Sequence, residues 1–182
     1  NAEHHFMIRK DFLKASGMLT AAGLFSSLVP AMAHQPRVSI SGAAPFKKGL
    51  SFYMIKEELS IMDKFLLVKD LGFDGIEFNG PLTLPIKELL AARDKTGIAI
   101  PALVNADHWG KPLSSPNAAE RQFTIQSVAK TMEETALLGG DTVLVVPGVV
   151  SEQVSYKTAY DNALASIRQL LPTAEKTGVK IG

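Results

Sequence analysis

Four times in this chain a helical pattern ends at a glycine and passes within a few residues into a short apolar run. The stretches are LGFDGIEFNGP (71–81), KTGIAIPAL (95–103), LGGDTVLVV (138–146) and KTGVKIG (176–182). Glycine suits the left-handed position that closes a helix. Strand following helix over and over requires a parallel sheet, because parallel neighbours are joined by crossovers. The first stretch reads as a helix ending at Gly72, a strand over 75–78 and a turn at Asn79-Gly80-Pro81. A buried parallel strand is apolar almost throughout, so the carboxylate of Glu77 needs a reason.

The other elements fill the spaces between these junctions. A strand is expected over 49–53 with Met54 at its end, followed by a helix over about 56–71. In that helix Leu59, Met62 and Leu66 form one apolar stripe and Ile61, Phe65 and Val68 a second. Pro85 is placed as the first residue of the next helix, with Ile86, Leu89 and Leu90 inward. A strand over 98–104 is interrupted by Pro101, which removes a ladder donor. After the polar loop 105–115, a helix runs from 116 or 117 to 138 with Ile125, Val128, Met132 and Ala136 inward. A strand over 142–146 ends at Pro147-Gly148. The last helix, about 156–176, is expected to turn Tyr160, Leu164, Ile167 and Leu171 inward and to kink or end early at Pro172. A final strand starts at Val179 and reaches Gly182.

The count is four βα units and part of a fifth, in an α/β chain. A doubly wound sheet and an eight-unit barrel both begin this way. No G-x-G-x-x-G or G-x-x-x-x-G-K-[ST] follows any strand, which weakens a nucleotide-binding sheet.

Composition limits the partners. The 182 residues are 46% hydrophobic and 20% charged, the balance of a globular chain. The absence of cysteine removes disulfides and thiolate metal sites. The formal charge is +1, and without the first 33 residues acidic and basic side chains balance. Neither nucleic acid nor an anionic membrane is indicated as a partner.

The start of the chain reads as an address. From Met7 a basic segment (Arg9, Lys10, Lys14) precedes an apolar run over 15–29 and the A-x-A site Ala31-Met32-Ala33. That run is too short to span a bilayer permanently, so no stable membrane span remains after cleavage. RKDFLK (9–14) resembles the twin-arginine export motif, with Lys10 where the second arginine is usual. Residues 1–6 are an upstream remnant, 7–33 an export signal, 34–47 a linker and 48–182 the folded body. Export to the periplasm or beyond is the expected location; the plain alternative is an amphipathic N-terminal helix.

In either parallel fold the working groups lie at the carboxyl ends of the strands. There the chain offers Tyr53, Met54, Glu77, Asn79, the loop 105–111 and Pro147-Gly148. The loop holds Asp107, His108, Trp109 and Lys111, with the body's only tryptophan and, beside His34, its only histidine. An imidazole, an indole and an ammonium on one loop can stack on a sugar ring and bond its hydroxyls or a phosphate. Free N–H groups at the start of the helix near Pro116 favour an anion on the same side. Each residue also has a plain reading. Glu77 pairs with a lysine at the rim, His108 and Trp109 pack a surface loop, and Lys111 is a solvated charge.

KDLGFDGIEF (69–78), DHWGKPLSSPNAAERQ (107–122) and EKTGVKIG (175–182) together resemble the sugar phosphate isomerases and epimerases with a xylose isomerase-like barrel. The similarity is greatest to the pentulose- and hexulose-phosphate 3-epimerase and isomerase branch. There a histidine loop, a proline, serines and an arginine-bearing helix follow the third strand; here these are His108, Pro112, Ser114, Ser115 and Arg121. The resemblance covers about 49–182. It implies a partial (β/α)8 TIM barrel of four and a half units, broken off after the start of strand five. It implies proton transfer beside a carbonyl, with a divalent metal (Mn²⁺, Mg²⁺ or Zn²⁺) on the substrate oxygens and two carboxylates as base and acid. Family members take those carboxylates and the metal ligands from later strands. No catalytic or metal-binding residue is therefore assigned within the chain, and none of that metal is expected to bind it. Glu77, His108, Trp109 and Lys111 are assigned to substrate contact.

The expected function is an exported sugar isomerase or epimerase, inactive in the part seen here, acting on a small-molecule sugar and compatible with a homo-oligomer when complete. Export favours a free or oxidised sugar over a phosphorylated one. The alternative is a non-catalytic carbohydrate-binding barrel. An endonuclease of the same superfamily is disfavoured by the balanced charge.

Overall fold

The computed structural model describes residues 46–182. The export signal and almost all of the linker read from the sequence lie outside these residues. The elements in order are β1 (Gly49–Ser51), a 3-10 turn (Phe52–Met54), α1 (Ile61–Asp70), β2 (Gly75–Gly80), α2 (Ile86–Thr96) and β3 (Ala102–Asn105). They continue with α3 (Ala118–Leu138), β4 (Thr142–Leu144), α4 (Tyr156–Arg168), α5 (Leu171–Thr177) and β5 (Lys180–Ile181).

The five strands form one parallel sheet in the order β1-β2-β3-β4-β5. A doubly wound sheet reverses its strand order partway, at the switch point where its ligands bind. No reversal occurs here. Successive crossovers of one hand carry every helix to the same face of the sheet, which is how a (β/α)8 barrel is laid down. The chain holds five of a barrel's strands.

All four junction glycines adopt the left-handed conformation, with φ between 72° and 83° at Gly72, Gly97, Gly139 and Gly178. A side chain there would strain the backbone. These residues let each helix stop and hand the chain back to the sheet.

Side chains alternate across each strand. Ile76, Phe78 and Leu103 point to the helices and pack with Phe65 and Val68 of α1 and Leu89 and Ala92 of α2. Val143 and Val145 meet Ile125, Val128 and Met132 of α3, with Leu113, Leu170 and Val179. By the same alternation Ser51, Glu77, Asn79, Val104 and Leu144 face the barrel interior.

Several sequence expectations shift for local reasons. Helix α1 starts at Ile61 rather than near 56, because Ser60 caps it by accepting the Asp63 N–H at 3.1 Å. Of its two apolar stripes, the one with Phe65 and Val68 takes the core, while Leu59 and Leu66 are exposed. Strand β2 continues through Asn79 to Gly80, since Gly80 still pairs with Asn105. Pro85 is the residue before α2 rather than its first. Pro101 cuts β3 to four residues, leaving only an isolated bridge between Gly75 and Ala99 upstream.

The last helix is divided: α4 ends at Arg168 and Pro172 sits in the first turn of α5. Its buried face is Ala159, Ala163, Ser166 and Leu170, one residue round from the expected one, and Tyr160 (55% exposed) and Leu171 (51%) lie outside. Polar bonds set this rotation. Ser166 donates to the Leu113 carbonyl at 3.0 Å, and the Asn162 amide to those of Ser114 and Ser115 at 3.3 and 3.2 Å. Two alanines give the helix the close approach these bonds require.

Candidate functional site at the carboxyl ends of the strands

The site is built on the end of β3. Asn105 turns outward and is fully buried, where an amide needs partners. Its amide nitrogen donates to Ser127 at 2.8 Å and to Thr131 at 3.3 Å, both on α3. Its oxygen accepts the Asp107 N–H at 3.2 Å, an Asx turn that bends the chain out of the sheet. Ser127 in turn donates to the Asp107 carboxylate at 2.6 Å. The strand end, the loop and the helix are thereby tied into one unit. Gly80, beside Asn105 on β2, belongs to it as well: a Cβ there would collide with the Thr131 side chain.

The loop then closes on itself. The Lys111 N–H donates to the Asp107 carbonyl at 3.0 Å. His108 is 1% exposed, and its Nδ1 accepts the backbone N–H of Val146, just beyond β4, at 3.3 Å. An accepting Nδ1 places the proton of the neutral ring on Nε2. Burial pushes the His108 pKa down, and the neighbouring Asp107 carboxylate works weakly the other way. Trp109, by contrast, is 67% exposed; it meets the His108 ring edge to face, with centroids 5.1 Å apart and planes at 76°. Lys111 swings to α3, its Nζ 3.7 Å from the centre of the Phe123 ring, a cation–π contact.

Beyond Lys111 the chain is a framework. Arg121 folds back onto the carbonyls of Ser115 and Pro116 at 2.7 and 3.1 Å. Ser115 donates to Glu120 at 2.6 Å, and Asn117 caps α3 through the Ala119 N–H at 2.9 Å. Ser114 accepts the Val149 N–H at 3.1 Å and so ties this loop to the one after β4.

Of the four residues assigned from sequence, His108 and Trp109 come together. Lys111 shares their loop but directs its ammonium to Phe123. Glu77 stands apart, half-buried on the interior wall of β2 opposite Ser51. It precedes Gly80 by three residues, so it lies about 10 Å below the loop at the rise of a strand. Asn79, exposed two residues nearer the rim and opposite Val104, continues the same wall.

Sequence reasoning passed over Ser127 and Thr131, which hold the loop in place. Their signal is a row of hydroxyls at Thr124, Ser127, Thr131 and Thr135, spaced along α3 beside its apolar stripe and all buried. Glu134 was missed too; it is buried and accepts the Leu82 N–H at 2.7 Å, pinning the loop after β2 to α3.

Trp109 is exposed on the loop after β3, Glu77 and Asn79 lie on the interior side of β2, and the residues that support the loop are locked by bonds of their own. Among the described residues no three of His, Asp or Glu gather as a metal site.

The model of the xylose isomerase-like TIM barrel family matches residues 65–182. No curated protein is significantly similar to the chain. Among solved structures, the apo form of 3-keto-D-glucoside 4-epimerase YcjR from E. coli superposes with a TM-score of 0.65 at 23% identity, over 74% of this chain and 54% of that one. A D-tagatose 3-epimerase-like protein superposes with a TM-score of 0.62 at 25% identity, over 75% and 52%. D-psicose 3-epimerase in the presence of D-fructose gives 0.60 at 23%, over 75% and 51%. The chain therefore spans about half the length of each.

Proposed function

Because the chain belongs to the xylose isomerase-like TIM barrel family, we propose that it forms the substrate-recognition half of a sugar isomerase or epimerase. The observation that carries this reading is an exposed indole on the loop at the carboxyl end of β3, in a fold shared with solved sugar epimerases. Indole faces stack on the C–H side of a sugar ring, while Glu77 and Asn79 offer acceptors and a donor to its hydroxyls. His108 supports Trp109 from behind. Lys111, on the same loop, has a long side chain that can leave Phe123 to bond a sugar hydroxyl.

The chemistry expected of the family is proton transfer next to a carbonyl, with a divalent metal supplying charge stabilisation when bound. The described residues do not fit such an ion, since no three ligating side chains converge. No step is assigned to these residues beyond holding the sugar. An export signal over 7–33 favours an unphosphorylated substrate, a free ketose or a keto-glycoside.

The test is incubation of the complete barrel with D-fructose, D-tagatose, D-psicose and a 3-keto-glucoside, with and without Mn²⁺ and a chelator, followed by proton NMR. Appearance of an epimer or isomer, together with exchange of one carbon-bound proton for deuterium, is the expected result. Binding of these sugars without any exchange favours the non-catalytic carbohydrate-binding barrel. Neither binding nor exchange overturns both readings.

A further inference from the structure

A buried histidine beside an exposed tryptophan is a division of labour that substrate contact alone does not account for. His108 has almost no surface to offer a ligand, yet it bonds the backbone just beyond β4 at Val146, while Ser114 makes the second tie, to Val149. We infer that His108 is a positioning residue, a latch whose unprotonated Nδ1 holds the Val146 N–H and so fixes the open face of Trp109 at the rim.

Three observations make the latch specific. First, the contact is a hydrogen bond to an acceptor nitrogen, not apolar packing; a protonated ring would present a donor to the Val146 donor and the bond would be lost. Second, the loop before His108 is clamped to α3 through Asp107, Ser127 and Asn105, and the next tie to the segment after β4 is Ser114 to Val149, so His108 is the hold nearest Trp109. Third, Trp109 meets His108 edge to face, so the indole follows the imidazole.

The charged group facing the ring is Asp107 of its own loop, whose carboxylate is engaged by Ser127. The end of β4 brings only Val145, Val146 and Pro147. Of the positions of α3 and α4 that bond this loop, Thr124, Ser127, Asn162 and Ser166 are uncharged, and the charged Glu120 and Arg121 are engaged at its far end by Ser115 and by the Ser115 and Pro116 carbonyls. Lys111 is turned to Phe123. Burial therefore decides the protonation state, and the latch is closed near neutral pH.

The inference depends on the sugar-binding reading only for what Trp109 meets; the latch is tested without any sugar. Trp109 is the one tryptophan of the 182-residue chain, so its time-resolved fluorescence anisotropy reports this loop alone. The parent is expected to show a slow component at pH 7.5 that is lost on acidification through a single protonation below the ordinary histidine range. His108→Asn, whose amide oxygen lies near the position of Nδ1, is expected to keep the slow component and lose its pH dependence. His108→Leu, of similar bulk without an acceptor, is expected to lose the component at every pH while keeping its far-ultraviolet circular dichroism. A slow component in His108→Leu equal to the parent's, or no pH step in the parent, overturns the latch. Loss of the component in His108→Asn as complete as in His108→Leu overturns the role of the acceptor nitrogen. Should His108→Leu not fold, the parent's profile and His108→Asn still decide.

Discussion

The backbone N–H of Val146 donates to Nδ1 of His108 across 3.3 Å, joining the loop after β3 to the end of β4. A residue read from the sequence as a substrate contact is thus buried, with its ring against the exposed indole of Trp109. The bond requires a neutral ring, and its consequences for stability follow from that.

Stability should depend on His108 through pH. Its folded pKa lies below the ordinary value of about 6.5, so the unfolded chain takes up the proton first as pH falls. The contribution of the buried neutral ring is complete above the ordinary value and is lost as pH falls from there to the depressed folded value. Urea midpoints measured from pH 8 to pH 5 should therefore decline below about 6.5 in the parent. In His108→Asn that part of the decline should be missing. Equal profiles for the two would show that His108 titrates alike in the folded and unfolded chains.

Gly80→Ala should destabilise the fold by about 1–3 kcal/mol, the range for overpacking a filled site. The added methyl meets Thr131, whose hydroxyl also receives the Asn105 amide. Combining it with Thr131→Ala should give less than the sum of the two single effects, because the second change removes the atoms struck by the first. Chemical denaturation of the four proteins measures this. Additive losses would place the strain elsewhere.

How much of this could be read in advance divides along the range of the interaction. The junction glycines were legible because a left-handed helix end is a local demand that glycine meets by itself, and all four positions adopt it. The capping serine at position 60 has an equally local signal, Ser60 with Asp63 three residues on, which the longer apolar pattern outweighed. The rotation of α4 was not legible. Tyr160 and Leu171 fit an inward stripe as well as Ala159 and Leu170 do, and the choice rests on bonds from Ser166 and Asn162 to a loop some fifty residues earlier. The same holds at the site. The sequence marks 107–111 as rich in chemistry, but which side chain is buried there depends on Ser127 and Val146, one on a helix and one past the next strand.

Trp109→Ala should separate binding from folding. With 67% of its surface exposed, the indole contributes little to the core, and the change in stability should stay within about 0.5 kcal/mol. In the complete barrel, affinity for a sugar found to bind it should fall well beyond what that small change explains. Lys111→Ala should lose the cation–π contact with Phe123, a stabilisation of about 0.5–1 kcal/mol at an exposed site, with a smaller effect on the affinity for an uncharged sugar. Isothermal titration and thermal unfolding of both variants decide. A larger loss of neutral-sugar affinity in Lys111→Ala than in Trp109→Ala would move the platform from the indole to the ammonium.

The segment 7–33 should direct export, and its parts can be tested separately. Arg9, Lys10 and Lys14 supply the basic start, 15–29 the apolar run and Ala31-Met32-Ala33 the small-residue site. Expressed in a bacterium with both export routes, the protein should be recovered outside the cytoplasm with His34 as its first residue, read by mass spectrometry of the intact product. Ala33→Leu should leave an uncleaved precursor, because the peptidase needs a small side chain there. The route is tested at the basic pair. If the twin-arginine system recognises RKDFLK, Lys10→Arg should raise the exported fraction and Arg9→Lys should lower it sharply. An unaltered exported fraction in both would assign the protein to the general secretory route, where only the positive charge counts. A cytoplasmic product that keeps residues 7–33 in every case would return the segment to an ordinary amphipathic helix.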